Sequence, residues 1–193
     1  MKEKEIETFY PKNRNEWREW LQQNHHTKPS IWLIYYKKKT NIPTILYSEA
    51  VDEALCFGWI DSKAMSVDPE TTMQYFTKRK PNSVWSKVNK AKVQRFIDEG
   101  TMTKAGLEAI EIAKQNGSWT ILDEVEELVI PPDLEDAFLD NPNAKAYFEG
   151  LSKSVKRNML QWLKLAKREE TRQKRIVEMV ELANQGQKPK QFR

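Results

Sequence analysis

Two stretches of the chain concentrate residue types that can do chemistry. "ALCFGWIDSK" (54–63) sets the single cysteine, Cys56, and a carboxylate, Asp61, among large aromatics. "KRKPNSVWSKVN" (78–89) runs three cations into Pro81 and then places Trp85, Ser86 and Asn89 where serines mark a helix start. Amide groups left unpaired at such a start, with Arg79, Lys80 and Lys87 around them, form an anion-binding arrangement. Trp85 can offer a stacking surface for a base or a wedge of core. The stretch lacks the glycines of a phosphate-binding loop, so it is no Walker motif. A third stretch, "REETRQKRI" (168–176), repeats Arg168, Thr171, Arg172 and Arg175 three or four apart, which aligns guanidinium groups on one helical face. Glu169 and Glu170 are near enough in sequence to pair with some of them.

Each stretch also has a plainer reading. Capping plus surface charge accounts for most of the second, and local salt bridges account for the third. Asp61 follows Trp59 and Ile60 on a predicted strand whose alternation puts Trp59, Asp61 and Lys63 on one face. A carboxylate beside a tryptophan there must be wet, paired with a cation, or functional. The expected partner is Arg79 or Lys80, at the end of the following strand. Cys56 lies between apolar neighbours without the adjacent base or cation that a thiolate needs, and reads as a small buried hydrophobe. His25 and His26 are the only histidines. Neighbours on a helix diverge by about 100° and lack the i, i+4 spacing of a metal pair, so both read as structural or surface residues. The pattern offers no histidine-centred triad, no metal site and no cofactor motif.

The elements that must position these groups alternate in the first half. The spacing predicts a strand over 4–11, a helix over 13–26 with Trp17, Trp20 and Leu21 inward, and a strand over 30–38. A helix capped by Ser48 and stopped by Gly58 follows, then two antiparallel strands (59–68 and 73–80) joined by a turn containing "DPET". The second half reads as helices. One is opened by Ser83 or Ser86 and stopped near Gly100, and one is capped by Thr103. Two short helices break at Asn141-Pro142, another opens at Ser152 or Ser154, and the last begins at Glu169. The tail after Gly186 reads as mobile. The fold class is therefore α+β: a small mixed unit with antiparallel strands, then a largely helical C-terminal half. The expected division is 1–120 and 121–193, the second part packed on the first, with Pro131-Pro132 as the seam.

The 193 residues suffice for a buried core, and 39% hydrophobic with 31% charged residues suit a globular chain. Neither an export signal nor an apolar run long enough for a membrane span is visible, so the expected location is the cytoplasm and no membrane insertion is expected. The net charge of +4 conceals two blocks: residues 121–150 carry −8 and residues 151–193 carry +8. Adjacent blocks of opposite sign either satisfy each other or leave a basic tail for nucleic acid or another anionic surface.

Three segments, "EALCFGWIDS", "RKPNSVWSKVNKAKVQRFIDEGTMTKAGLEAIEIAKQNGSW" and "AKREETRQKRI", together resemble the YdeI/OmpD-associated, or bacteriocin-protection, family. The likeness runs from Trp17 to about Leu182. Gly58, Trp59, Asp61, Arg79, Trp85, Ser86, Asn89, Gly100, Gly106, Glu170, Thr171, Arg172 and Arg175 are the matching positions. The resemblance implies a role in survival against bacteriocins and cationic antimicrobial peptides, a link to an outer-membrane porin, and a protein partner. It brings no established catalytic residues.

Three readings follow. The first is a non-enzymatic binding or stress-protection protein whose polar groove takes a small anionic ligand, built from Asp61, Arg79, Lys80, Trp85, Ser86, Asn89, Glu170, Arg172 and Arg175. The second is an enzyme on a phosphorylated or nucleotide substrate, with Arg79, Lys80 and Arg172 as clamp and Asp61 or Glu170 as general base. The third, least favoured by the pattern, is a nucleic-acid module on the basic C-terminal helices.

Overall fold

In the computed structural model, which describes residues 6–192, the β-branched and aromatic run "SIWLIYY" forms β2 (Ser30–Tyr36). It lies in a four-stranded sheet of order β1-β2-β4-β3. The strands β3 (Trp59–Ser66) and β4 (Thr71–Lys78) are the expected antiparallel pair, and β4 also pairs antiparallel with β2. Asp68 makes their turn, accepting from the amides of Glu70 and Thr71, each at 2.7 Å. The first strand contracts to β1 (Thr8–Phe9), parallel to β2; positions 4 and 5 of the prediction lie outside the described residues. Pro11 limits it on the other side, since its nitrogen has no hydrogen for a ladder.

Helices cover one face of the sheet. Helix α1 (Arg14–Asn24) is capped by Asn13, whose side chain accepts from the Glu16 amide, and it buries Trp17 and Leu21 completely. Helix α2 (Tyr47–Cys56) starts one residue before the expected cap, Ser48. Leu46 stands at the cap position without a side-chain hydrogen bond there, and its amide donates to Glu49 Oε2 at 3.0 Å. Helices α3 (Lys87–Asp98) and α4 (Lys104–Gln115) begin at Ser86 and Thr103, each accepting from the amide three residues on. Two adjacent acids of α2 face inward and tie its neighbours to it. Glu53, nearly inaccessible, receives Arg14 at 2.5 Å and Arg18 at 2.6 Å, and Asp52 receives Lys92 at 2.6 Å and Arg95 at 3.2 Å. Trp17, Trp59, Phe76, Trp85 and Phe96 fill the space between.

The C-terminal end of α2 meets the start of α4 backbone to backbone. Thr103 donates its hydroxyl (2.7 Å) and its amide (3.1 Å) to the Cys56 carbonyl. A Cβ on Gly106 would fall 2.3 Å from that same oxygen, and one on Gly58 would fall 2.8 Å from the Ala105 carbonyl. Gly58 also holds a φ of +69°, so it turns the chain from α2 into β3 where other residues would be strained.

Contacts divide the chain into two units, one ending at Trp119 and the other beginning at Thr120. The second consists of α5 (Asp123–Glu126), α6 (Pro132–Leu139), α7 (Pro142–Gly150), α8 (Lys153–Lys164) and α9 (Glu169–Asn184). Pro131-Pro132 is no seam: Pro132 opens α6, as Pro142 opens α7, at the position where the missing N–H costs nothing. Acidic and basic blocks meet within this unit, through Glu124–Lys164 at 2.7 Å, Glu126–Arg157 at 3.2 Å and Asp133–Arg172 at 2.5 Å. The tail expected to be mobile folds back instead. Gln187 donates to the Leu182 carbonyl, Pro189 is buried, and Phe192 meets Trp162 edge-on at 5.8 Å. No helix among the described residues is long and apolar enough to cross a membrane.

Candidate functional site

Asp61 does not pair with the cations expected for it. Its Oδ2 accepts from the Tyr47 hydroxyl at 2.7 Å and from Gln74 Nε2 at 3.2 Å. Gln74 shares a face of β4 with the buried Phe76, which is paired with Asp61, so Asp61 keeps to the helix-covered side of the sheet. Lys63 leaves that side. A bulge between Asp61 and Ala64 breaks the alternation, and Lys63 stands 5.2 Å and 5.3 Å from the rings of Trp32 and Tyr75 on the opposite face. Burial, then the hydrogen bond to Asp61 and its charge, push the Tyr47 hydroxyl up to about 12.

Arg79 sits over Trp85, its Cζ 3.7 Å from the ring centroid, and donates Nη1 to the Val84 carbonyl at 2.9 Å. Its Nε and Nη2 are buried without a hydrogen-bond partner among the described residues. Burial draws the guanidinium down to about 10, and the Asp61 carboxylate opposes that. Trp85 is wholly buried, with Arg79 on one face and Trp119 5.0 Å away, so it is core and leaves no face for a base. Ser86 is spent on capping α3, where it receives the Asn89 amide at 3.3 Å. Lys80 is exposed.

Beside these groups the first unit carries a basic cleft formed by two adjoining hollows. The larger, about 420 Å³, opens between α1 and the first turn of α4, where Arg18, Gln22, Thr103 and Lys104 line it. The smaller, about 190 Å³, takes its cations, Lys78, Arg79 and Lys80, from the end of β4. Both share His25, His26, Phe57 and Glu108. The two imidazoles do not diverge as neighbours on a helix would. Helix α1 ends at Asn24, and past that end the rings come to 3.8 Å of each other, with Phe57 edge-on to His25 at 5.1 Å. His25 Nδ1 lies 2.8 Å from the Leu21 carbonyl, which can only accept, so Nδ1 carries hydrogen and Nε2 is the acceptor of the neutral ring. Lys78 donates to the His26 carbonyl at 2.6 Å and so ties β4 to the end of α1. Glu108 is the one carboxylate of the lining, and its nearest cation is Lys104 at 3.8 Å. Arg18 is already engaged, through Glu53 and the Thr101 carbonyl, and acts as wall.

Glu170, Arg172 and Arg175 belong to the second unit. Arg172 is held bidentate by Asp133, at 2.5 and 2.7 Å, and also donates to the Leu163 carbonyl. Its hydrogen bond holds the Asp133 carboxyl below the usual carboxylate range. Arg175 stacks 4.7 Å from Trp162 and donates to that residue's carbonyl, while Glu170 is exposed in the first turn of α9. Arg172 and Arg175 are thus used inside their own unit. A cavity of about 430 Å³ adjoins the Asp133–Arg172 pair, with Val125, Val129, Pro131 and Leu160 as its apolar wall.

Of the sequence candidates, Arg79 and Lys80 line the basic cleft. The residues that complete it, His25, His26, Gln22, Lys104 and Glu108, come from two helix ends that only the tertiary fold brings together. The cation run before Pro81 and the cap at Thr103 mark its two sides, but no spacing relates them.

Two family models match the chain. One, described as a domain of unknown function (DUF8412), covers residues 9–109 and includes "GWIDS" and "WSKVN". The other, described as bacteriocin-protection, YdeI or OmpD-associated, covers residues 127–186, so that likeness is carried by the second unit. No curated protein and no solved structure matches.

Proposed function

Since the chain belongs to the family of unknown function whose model spans more than half of it, and also carries a YdeI or OmpD-associated segment, we propose that it is a binding protein rather than an enzyme. Its first unit takes a small anionic ligand in the basic cleft, and this binding serves the protection that the second family's description names. The reading is carried by one observation: Lys78, Arg79, Lys80 and Lys104 converge on two joined hollows that contain a single carboxylate. A concave surface of this size with a few convergent charges is where small anions gather.

Calorimetric titration with pyrophosphate at about 50 mM salt, where screening is weak, tests it. Binding should weaken at least about tenfold, roughly 1.4 kcal/mol, in the Lys78→Ala/Lys80→Ala variant with unchanged circular dichroism. Absence of binding to the unaltered protein, or equal affinity in the variant, overturns the reading.

A further inference from the structure

We infer that the ligand of the basic cleft is a nucleoside monophosphate, its base in the larger hollow and its phosphate in the smaller; this rests on the anionic-ligand reading above. The two hollows differ in kind. The smaller is bounded by three consecutive cations, and at about 190 Å³ it suits a compact anion. Lys80 is free to turn its ammonium inward, Lys78 keeps hydrogens beyond the one given to His26, and Arg79 adds charge from behind. The larger is too roomy for a phosphate alone and has mixed polarity. Gln22, which lines only the larger, offers a donor and an acceptor, and Glu108, at the border of the two, accepts. That is the complement of a base edge, where ring nitrogens and exocyclic groups alternate in character.

Between the hollows stands an aromatic wall, the imidazoles of His25 and His26, 3.8 Å apart and tilted by 43° to each other, with Phe57 edge-on to His25. A histidine ring can hold a base face to face, and His26, which lines both hollows, is exposed. A sugar phosphate would leave the wall and the Gln22 end unused. An inorganic anion would use only the cation end.

The test compares AMP, ribose 5-phosphate, inorganic phosphate and a single-stranded oligonucleotide on the full chain by calorimetry. AMP should bind at least tenfold more tightly than ribose 5-phosphate. His26→Ala and Gln22→Ala, both surface changes, should remove most of that advantage and leave phosphate affinity unchanged, whereas Lys80→Ala should weaken AMP, ribose 5-phosphate and phosphate alike. Equal affinity for AMP and ribose 5-phosphate overturns the nucleotide assignment and leaves the anion reading standing. An oligonucleotide that binds more tightly than AMP overturns the assignment to a free nucleotide. Failure of every phosphate compound to bind overturns both.

Discussion

Asp61 is held by neutral donors, although two cations follow it on the neighbouring strand. The Tyr47 hydroxyl reaches it from the first turn of α2 and Gln74 from the paired strand. The consequence falls on Tyr47, whose proton leaves only near pH 12 because burial and the neighbouring charge both disfavour phenolate. A folded value above the ordinary 10 means the interaction is fully present below about pH 10 and is lost as pH rises through about 12. Titration of tyrosinate absorbance should show a late step that disappears in Tyr47→Phe and moves down toward 10 in Asp61→Asn. An unmoved step in Asp61→Asn would separate the two side chains. Arg79 illustrates the opposite economy: its ring contact and one carbonyl hold it, and Asp61 acts on it only through space.

Among the elements, the junction of α2 with α4 positions the cleft, because Phe57, Gly58 and Ala105 meet there. A methyl group at Gly106 has nowhere to go except into the Cys56 carbonyl, so Gly106→Ala should cost about 1–3 kcal/mol in urea unfolding. Gly150, in α7 with nothing within 4 Å, is the control, and Gly150→Ala should be neutral or slightly stabilising. Equal effects would mean that the two helices do not touch as described. Much of this scale is legible in the sequence because its causes are local. Asn13, Ser86, Thr103 and Ser152 each accept from an amide three residues on, and Asp68 closes its own turn. The bulge that turns Lys63 outward depends on pairing with β4, and the meeting of the two imidazoles depends on where α1 stops. Neither leaves a periodic trace, so the candidate site was half visible: its cation run could be read, its aromatic wall could not.

At the scale of the molecule, charge is arranged in blocks that are answered close by. The acids of α5 and α6 meet the cations of α8 and α9, so part of each of the two opposed segments is answered within the second unit. Asp133–Arg172 is partly shielded, with side chains 31% and 19% accessible. The Arg172 hydrogen bond lowers the carboxyl's affinity for protons, so its contribution is present above the ordinary carboxylate range and is lost as pH falls through the lowered value. Asp133→Asn should therefore reduce stability at neutral pH by about 1–2 kcal/mol, discounted for partial exposure. It should also flatten the acid limb of a stability profile followed by circular dichroism. An unchanged acid limb would place the acid sensitivity elsewhere. The first unit offers a different handle. Its only thiol, Cys56, is inaccessible, and burial makes it reluctant to ionise. Alkylation in native buffer therefore has to wait for the junction of α2 and α4 to come apart, and the labelling rate becomes a clock for that opening. A ligand that seals the neighbouring cleft should slow it.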